Sequence, residues 1–89
     1  MVHLFAQQIT VSGNVKDSSG EPVIGASVLV KGTTNGVITD FDGNFSIANV
    51  EDGSQIEVSY IGYVTQMKKA TGTQPLNFIL DFHRLDLTD

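Results

Sequence analysis

The chain has 89 residues, 40% of them apolar and 17% charged, with a net charge of −5 and no cysteine. A chain of this size forms one domain that buries roughly 60–65% of its unfolded surface, and the composition is that of a globular domain. The missing cysteines exclude disulfides, thiolate catalysis, Cys-ligated zinc and lipid attachment through cysteine. The basic residues Lys16, Lys31, Lys68, Lys69 and Arg84 form no stripe that neutralises phosphates, so nucleic acid is excluded and an anionic membrane surface is disfavoured.

The absence of cysteine fits the cytosol, and it fits equally a periplasmic domain with a good core. No run of about eighteen apolar residues is present to form a transmembrane helix. Before residue 76, no stretch free of Gly and Pro exceeds about a dozen residues, which leaves no room for a long helix.

Residues 1–8 are set apart from the fold, either as a frayed tail or as a signal-peptide remnant. Leu4, Phe5 and Ala6 before Gln7 and Gln8 read like the end of a secretory signal cleaved after Ala6. The strand pattern begins at residue 9. Ile9, Val11, Gly13 and Val15 alternate with Thr10, Ser12, Asn14 and Lys16, the period of a half-buried strand. Residues 17–22, all polar or turn-forming, break it. Residues 26–31 alternate again, with Ala26, Val28 and Val30 inward and Leu29 outward.

Residues 32–47, GTTNGVITDFDGNFSI, carry two turn signals, Asn35-Gly36 and Asp42-Gly43, around a short strand. The second admits two registers. A two-residue loop at Asp42-Gly43 turns Asp40 onto the face of Phe45 and Ile47, where an unpaired carboxylate is costly. A type I turn over residues 40–43, with Gly43 left-handed in a bulge, puts Val37 and Thr39 on that face and Asp40 in solvent. The second register is preferred, because a one-residue slip inverts every side chain.

Residues 51–54 form the next turn. Residues 55–61 read as a strand with Ile56, Val58 and Tyr60 inward, and Gly62 marks a bulge or sharp bend. Residues 63–70 continue as a strand with Lys68 and Lys69 guarding an edge. Residues 71–75 are a loop, and a last strand places Leu76, Phe78, Leu80 and Phe82 on one face. Residues 83–89 form a tail. The expected domain is therefore 9–82, an all-β sandwich of about seven short strands.

The chemistry-bearing residues have simpler readings. Asp40, Asp42, Asn44 and Glu51 fall at positions 1, 3, 5 and 12 of a calcium loop, but Phe45 stands where the loop needs glycine. They read as turn residues. His3 and His83 lie in opposite tails, so neither serves a catalytic triad, and the trio Asp81, His83 and Asp86 reads as an exposed tail, not a zinc site. No glycine run is followed by the Lys and Ser/Thr of a phosphate-binding loop. Tyr60 and Tyr63 beside Gly62 are the candidate interaction surface; the simpler assignment is Tyr60 in the core and Tyr63 partly buried in a strand. Leu29, Ile38 and Ile61 are outward candidates for a partner surface. No catalytic, cofactor or metal residue is assigned.

Four motifs carry a resemblance: G-x-P-x-x-G-A at 20–26, G-T-T-x-G at 32–36, T-D-x-D-G-x-F at 39–45 and S-Y-I-G-Y at 59–63. Together they resemble the carboxypeptidase-regulatory-like domain, in the form found at the N-terminus of SusC/RagA-type TonB-dependent outer-membrane transporters. The resemblance covers about residues 9–80. It implies a transthyretin- or prealbumin-like Greek-key sandwich and a place on the periplasmic face of the outer membrane of a Gram-negative bacterium. It implies a non-catalytic accessory domain in nutrient uptake, glycan or peptide. The implied partners are proteins, a transporter plug and barrel or a component of the TonB system, and the chain is expected to be a monomer that does not insert into membrane. In such transporters a hydrophobic box, plug and barrel follow; here the sequence ends Leu87-Thr88-Asp89, which leaves an excised domain, a truncated product or a stand-alone module open. The alternative reading is a carbohydrate- or cell-surface-binding module. A transthyretin-like purine-pathway hydrolase is disfavoured, because its C-terminal Tyr-Arg-Gly-Ser is not present.

Overall fold

The structure is a computed structural model that describes residues 8–72 and 74–82. Among these residues there are seven strands and no helix: β1 (Gln8–Asp17), β2 (Ser27–Val30), β3 (Gly36–Ile38), β4 (Asn44–Glu51), β5 (Gln55–Ser59), β6 (Gln66–Lys69) and β7 (Leu76–Leu80). They form two sheets, one of order β4-β1-β7 and one of order β3-β2-β5-β6. The period-two alternation of each strand supplies one apolar face, and the two faces close on each other. Val11, Val15, Phe45, Ile47, Phe78 and Leu80 come from the first sheet, and Val28, Val30, Ile56 and Val58 from the second. The predicted leader residues Leu4, Phe5 and Ala6, both histidines, and Asp86 lie outside the described residues.

Gly13 shows how tightly the first sheet packs on itself. A Cβ there would collide with the Leu76 carbonyl and approach the Phe45 ring to 2.6 Å. Glycine lets Phe45 lie across β1 and tilt against Phe78, with ring centroids 6.2 Å apart. β1 pairs antiparallel with β4 and parallel with β7, so the last strand returns in the direction of the first.

The residues around the Asp40 turn do not make a simple hairpin. β3 pairs with β2 in one sheet, and β4 pairs with β1 in the other. The stretch from Gly36 onward is therefore a corner that carries the chain between sheets. Thr39 points into the interior at 3% exposure, while Asp40 stays in solvent.

Each open side of the sandwich is bridged by one side chain. On one side, Asn35 Nδ2 donates to the carbonyl of Ala48 at 2.8 Å, tying the β2–β3 loop to the edge of β4. β4 bulges there: two residues, Ala48 and Asn49, face Thr10 alone, and Asn49 takes a φ of 61°. On the other side, Lys68 of edge strand β6 donates to the carbonyl of Asn77 on β7, with its Nζ 5.6 Å from the Phe78 ring centroid. Lys68 thus spans the two sheets as well as guarding an edge.

Candidate functional site

The topology sends the connections to two opposite ends. β1 leads to β2, β3 to β4 and β5 to β6 at the same end, and the chain leaves β7 there too. The β2–β3, β4–β5 and β6–β7 connections, with the start of β1, occupy the other end. β1 alone spans about 30 Å, so the ends are well separated. The motifs at 20–26, 39–45 and 59–63 all fall on the first end; the motif at 32–36 falls on the second.

Local chemistry fixes the loops of the first end. In the β3–β4 turn, the Gly43 N–H donates to the Asp40 carbonyl at 2.9 Å and the Asp40 N–H to the Asn44 carbonyl at 3.0 Å. Asp40 Oδ1 accepts the N–H groups of Asp42 and Asn44, each at 2.9 Å. Gly43 has a φ of 77°. A Cβ there would run into the Val15 carbonyl and come within 3.2 Å of Pro22, so the residue is held by contact as well as by backbone angle. The Asp42 carbonyl and Asn44 Oδ1 both accept from Asn14 Nδ2, at 2.9 and 2.7 Å. The Asp40 carboxylate is thus engaged in holding the turn, and Glu51 lies at the far end of β4.

The β1–β2 loop is built on Asp17. Its Oδ1 accepts from the Ser19 hydroxyl at 2.7 Å, the Ser19 N–H at 2.9 Å and the Glu21 N–H at 3.0 Å. The Ser19 hydroxyl, then the Glu21 N–H, hold this carboxyl below the ordinary aspartate range. Thr39 joins the loop to the β3–β4 turn. Its hydroxyl donates to the Val23 carbonyl and accepts the Ala26 N–H, while the Gly25 N–H donates to the Thr39 carbonyl at 3.0 Å.

The third loop places the tyrosines. The Tyr63 N–H donates to the Tyr60 carbonyl at 3.1 Å, and Gly62 at the third position has a φ of 88°, as a type II turn requires. Gly62 therefore sits in the turn that follows β5. β5 stops at Ser59, and Tyr60 is 37% exposed, so its expected place in the core is corrected. Tyr63 packs against the core from an isolated bridge with Phe82, outside β6. Phe82, expected inward on the last strand, is 64% exposed because β7 ends at Leu80 and the alternation stops with it. The rings form a run: Tyr60 and Tyr63 at 5.8 Å between centroids, Tyr63 and Phe82 stacked at 4.6 Å.

The Asn35-Gly36 assignment is also corrected. The loop turns over residues 30–33, closed by Thr33 N–H to the Val30 carbonyl at 3.1 Å, with Gly32 carrying the positive φ. Gly36 is the first residue of β3, and Asn35 works through the side-chain bridge to Ala48.

What gathers at the first end is apolar surface. Ile61 is 89% exposed and Phe41 83%, and Ile24, Ile38, Val64 and Phe82 are also exposed there. Gly25, Ser27, Ser59, Tyr60 and Ile61 line a shallow hollow that joins the β5–β6 turn to the start of β2. The Val64 N–H donates to the Asp81 carbonyl at 2.9 Å, tying that turn to the point where the chain leaves the sandwich. Leu29, outward by alternation, is half-buried on the outer face beside Glu57. Strand alternation gives no sign of Phe41. Its signal is its position: the residue between Asp40 and Asp42, at the tip of a type I turn, faces solvent.

The CarboxypepD_reg-like domain family matches residues 11–87. The chain belongs to this family. It is 63% identical over 65 residues, 73% of its length, to the TonB-dependent receptor SusC of Bacteroides thetaiotaomicron. It is 44% identical over 59 residues, 66% of its length, to the TonB-dependent receptor P39 of Formosa agariphila. Receptor P3 of the same organism is 33% identical over 98% of this chain. The CarboxypepD_reg-like chain spans only 6–9% of the length of these relatives. Among solved structures, it resembles a chain of a type II cohesin–X–dockerin complex from Acetivibrio cellulolyticus, with a TM-score of 0.65 and 25% identity. That match covers 80% of this chain and 56% of the other.

Proposed function

We propose that this CarboxypepD_reg-like domain is a non-catalytic accessory and interaction module of TonB-dependent nutrient uptake, working on the periplasmic side of the outer membrane through protein contacts. The observation that carries the reading is the match to segments of three TonB-dependent receptors. The geometry agrees with it. Three of the four sequence motifs meet on one exposed apolar end, and the side chains of Thr39 and Asp40 hold the turns that shape it. We take the folded unit as residues 9–82 and the protein as a monomer.

A carbohydrate-binding module is the weaker reading. In the tyrosine pair that this reading uses, Tyr63 is flanked by Tyr60 on one side and stacked on Phe82 on the other, which leaves its ring little open face for a sugar. A glycan array separates the two: sugar binding that Tyr60→Ala or Tyr63→Ala abolishes would support the module.

The deciding experiment replaces the matching segment of a TonB-dependent receptor with this chain and compares it with deletion of the segment. Deletion is expected to lower uptake-dependent growth at equal receptor abundance, and this chain to restore it. Undiminished growth after deletion would overturn the proposal.

A further inference from the structure

We propose that the apolar end docks a protein segment in which apolar side chains are interleaved with lysine or arginine. The inference rests on the accessory-domain reading and adds the chemistry of the partner.

Two properties coincide at this end. The first is apolar exposure on loops that have no need of it for folding. Ile61 and Phe41 are the most exposed large apolar side chains of the described residues, and Ile24, Ile38 and Phe82 stand on neighbouring loops or strand ends. Single exposed apolar residues are ordinary, but a group drawn from four chain segments onto one end marks an interaction surface. The loops beneath are fixed by hydrogen bonds, so the surface is preformed and costs little to order on binding.

The second property is charge. Asp17, Glu21, Asp40, Asp42 and Asp81 all stand at this end, against Lys16 alone among the described residues. Lys31 follows β2 at the other end, Lys69 pairs with Gln55, and Lys68 is turned to Asn77. An apolar surface that shares its end with acidic side chains selects a partner with the inverse pattern. The same charge argues against a second copy: a two-fold contact would bring the two acidic ends together.

The test titrates the isotope-labelled full chain, followed by NMR, with two short synthetic peptides. Both alternate leucine or tyrosine with a charged residue, lysine in one and glutamate in the other. The lysine peptide is expected to shift the amide signals of Ile24, Phe41, Ile61 and Phe82. Its affinity should fall about tenfold or more at about 1 M salt, where screening reaches about 3 Å. Ile61→Ser and Asp42→Asn, both at exposed positions, should each weaken it severalfold with the remaining spectrum unchanged. No shift with the lysine peptide, equal shifts with the glutamate peptide, or shifts centred on Thr33 and Asp52 would overturn the proposal. So would peptide-free, concentration-dependent shifts of the same amides, which would assign the surface to a second copy. The uptake experiment fails independently of this one: lost growth on deletion without peptide binding removes only the docking proposal, and peptide binding with undiminished growth removes only the accessory reading.

Discussion

The Thr39 hydroxyl donates to the Val23 carbonyl at 2.6 Å and accepts the Ala26 N–H at 2.9 Å, joining two loops through the one buried polar side chain among the described residues. Thr39→Val keeps the shape and removes both bonds. It leaves a donor and an acceptor buried without partners, which costs about 1–3 kcal/mol. The expected result is a thermal midpoint lowered by several degrees, with Thr39→Ser losing less. An unchanged midpoint for the valine variant would show that the hydroxyl does not couple the loops.

Gly43 and Gly20 both have positive φ, but only Gly43 has neighbours in the way. Gly20→Ala should cost the left-handed strain alone, about 1–2 kcal/mol. Gly43→Ala adds a collision with the Val15 carbonyl and should cost more than Gly20→Ala, about 2–4 kcal/mol or loss of folding. Urea denaturation of the two variants side by side checks the order. Equal losses would mean that the backbone shifts to make room at Gly43.

Asn35 holds the β2–β3 loop to the bulged edge of β4 through the Ala48 carbonyl. Asn35→Ala should lower stability by about 0.5–1.5 kcal/mol, the net worth of one hydrogen bond. Hydrogen exchange should quicken in residues 31–35 and leave the Asp40 turn unaffected. Faster exchange across the whole protein would indicate a global effect in place of a local clamp.

Asp17 supplies the pH dependence. Its carboxyl is held below the ordinary range, so the folded state favours the charged form. That contribution is complete above the unfolded aspartate value, about 3.9, and is lost as pH falls through the lower folded value. Asp17→Asn should therefore be less stable than the native chain at neutral pH, and the gap should narrow as the solution is acidified below the ordinary carboxylate range. A gap in the thermal midpoint that stays constant from neutral to acid pH would show that the carboxylate's charge is not what the loop uses.

The strands and the main turn were legible because their causes are local. Alternation placed Val11, Val15, Val28 and Val58 inside, and the unfavourable burial of Asp40 selected the type I register with Gly43 left-handed. The apolar end was only partly legible. Alternation singles out Ile38 and Ile61, whereas extending it past the last strand residues, Ser59 and Leu80, puts Tyr60 and Phe82 inward.

The sequence by itself determined the apolar face of each strand, the type I turn from Asp40 to Gly43 and, through its motifs, the family. The tertiary structure decided which strand pairs with which. β3 and β4 are joined by a tight turn, yet each finds its partner in a different sheet, and β1 pairs in parallel with the distant β7. A period-two pattern specifies a face and not a neighbour, since every inward face is equally apolar; pairing is settled by long-range packing. The same packing brought Ile24, Phe41, Ile61 and Phe82 to one end, from loops that local sequence leaves unrelated.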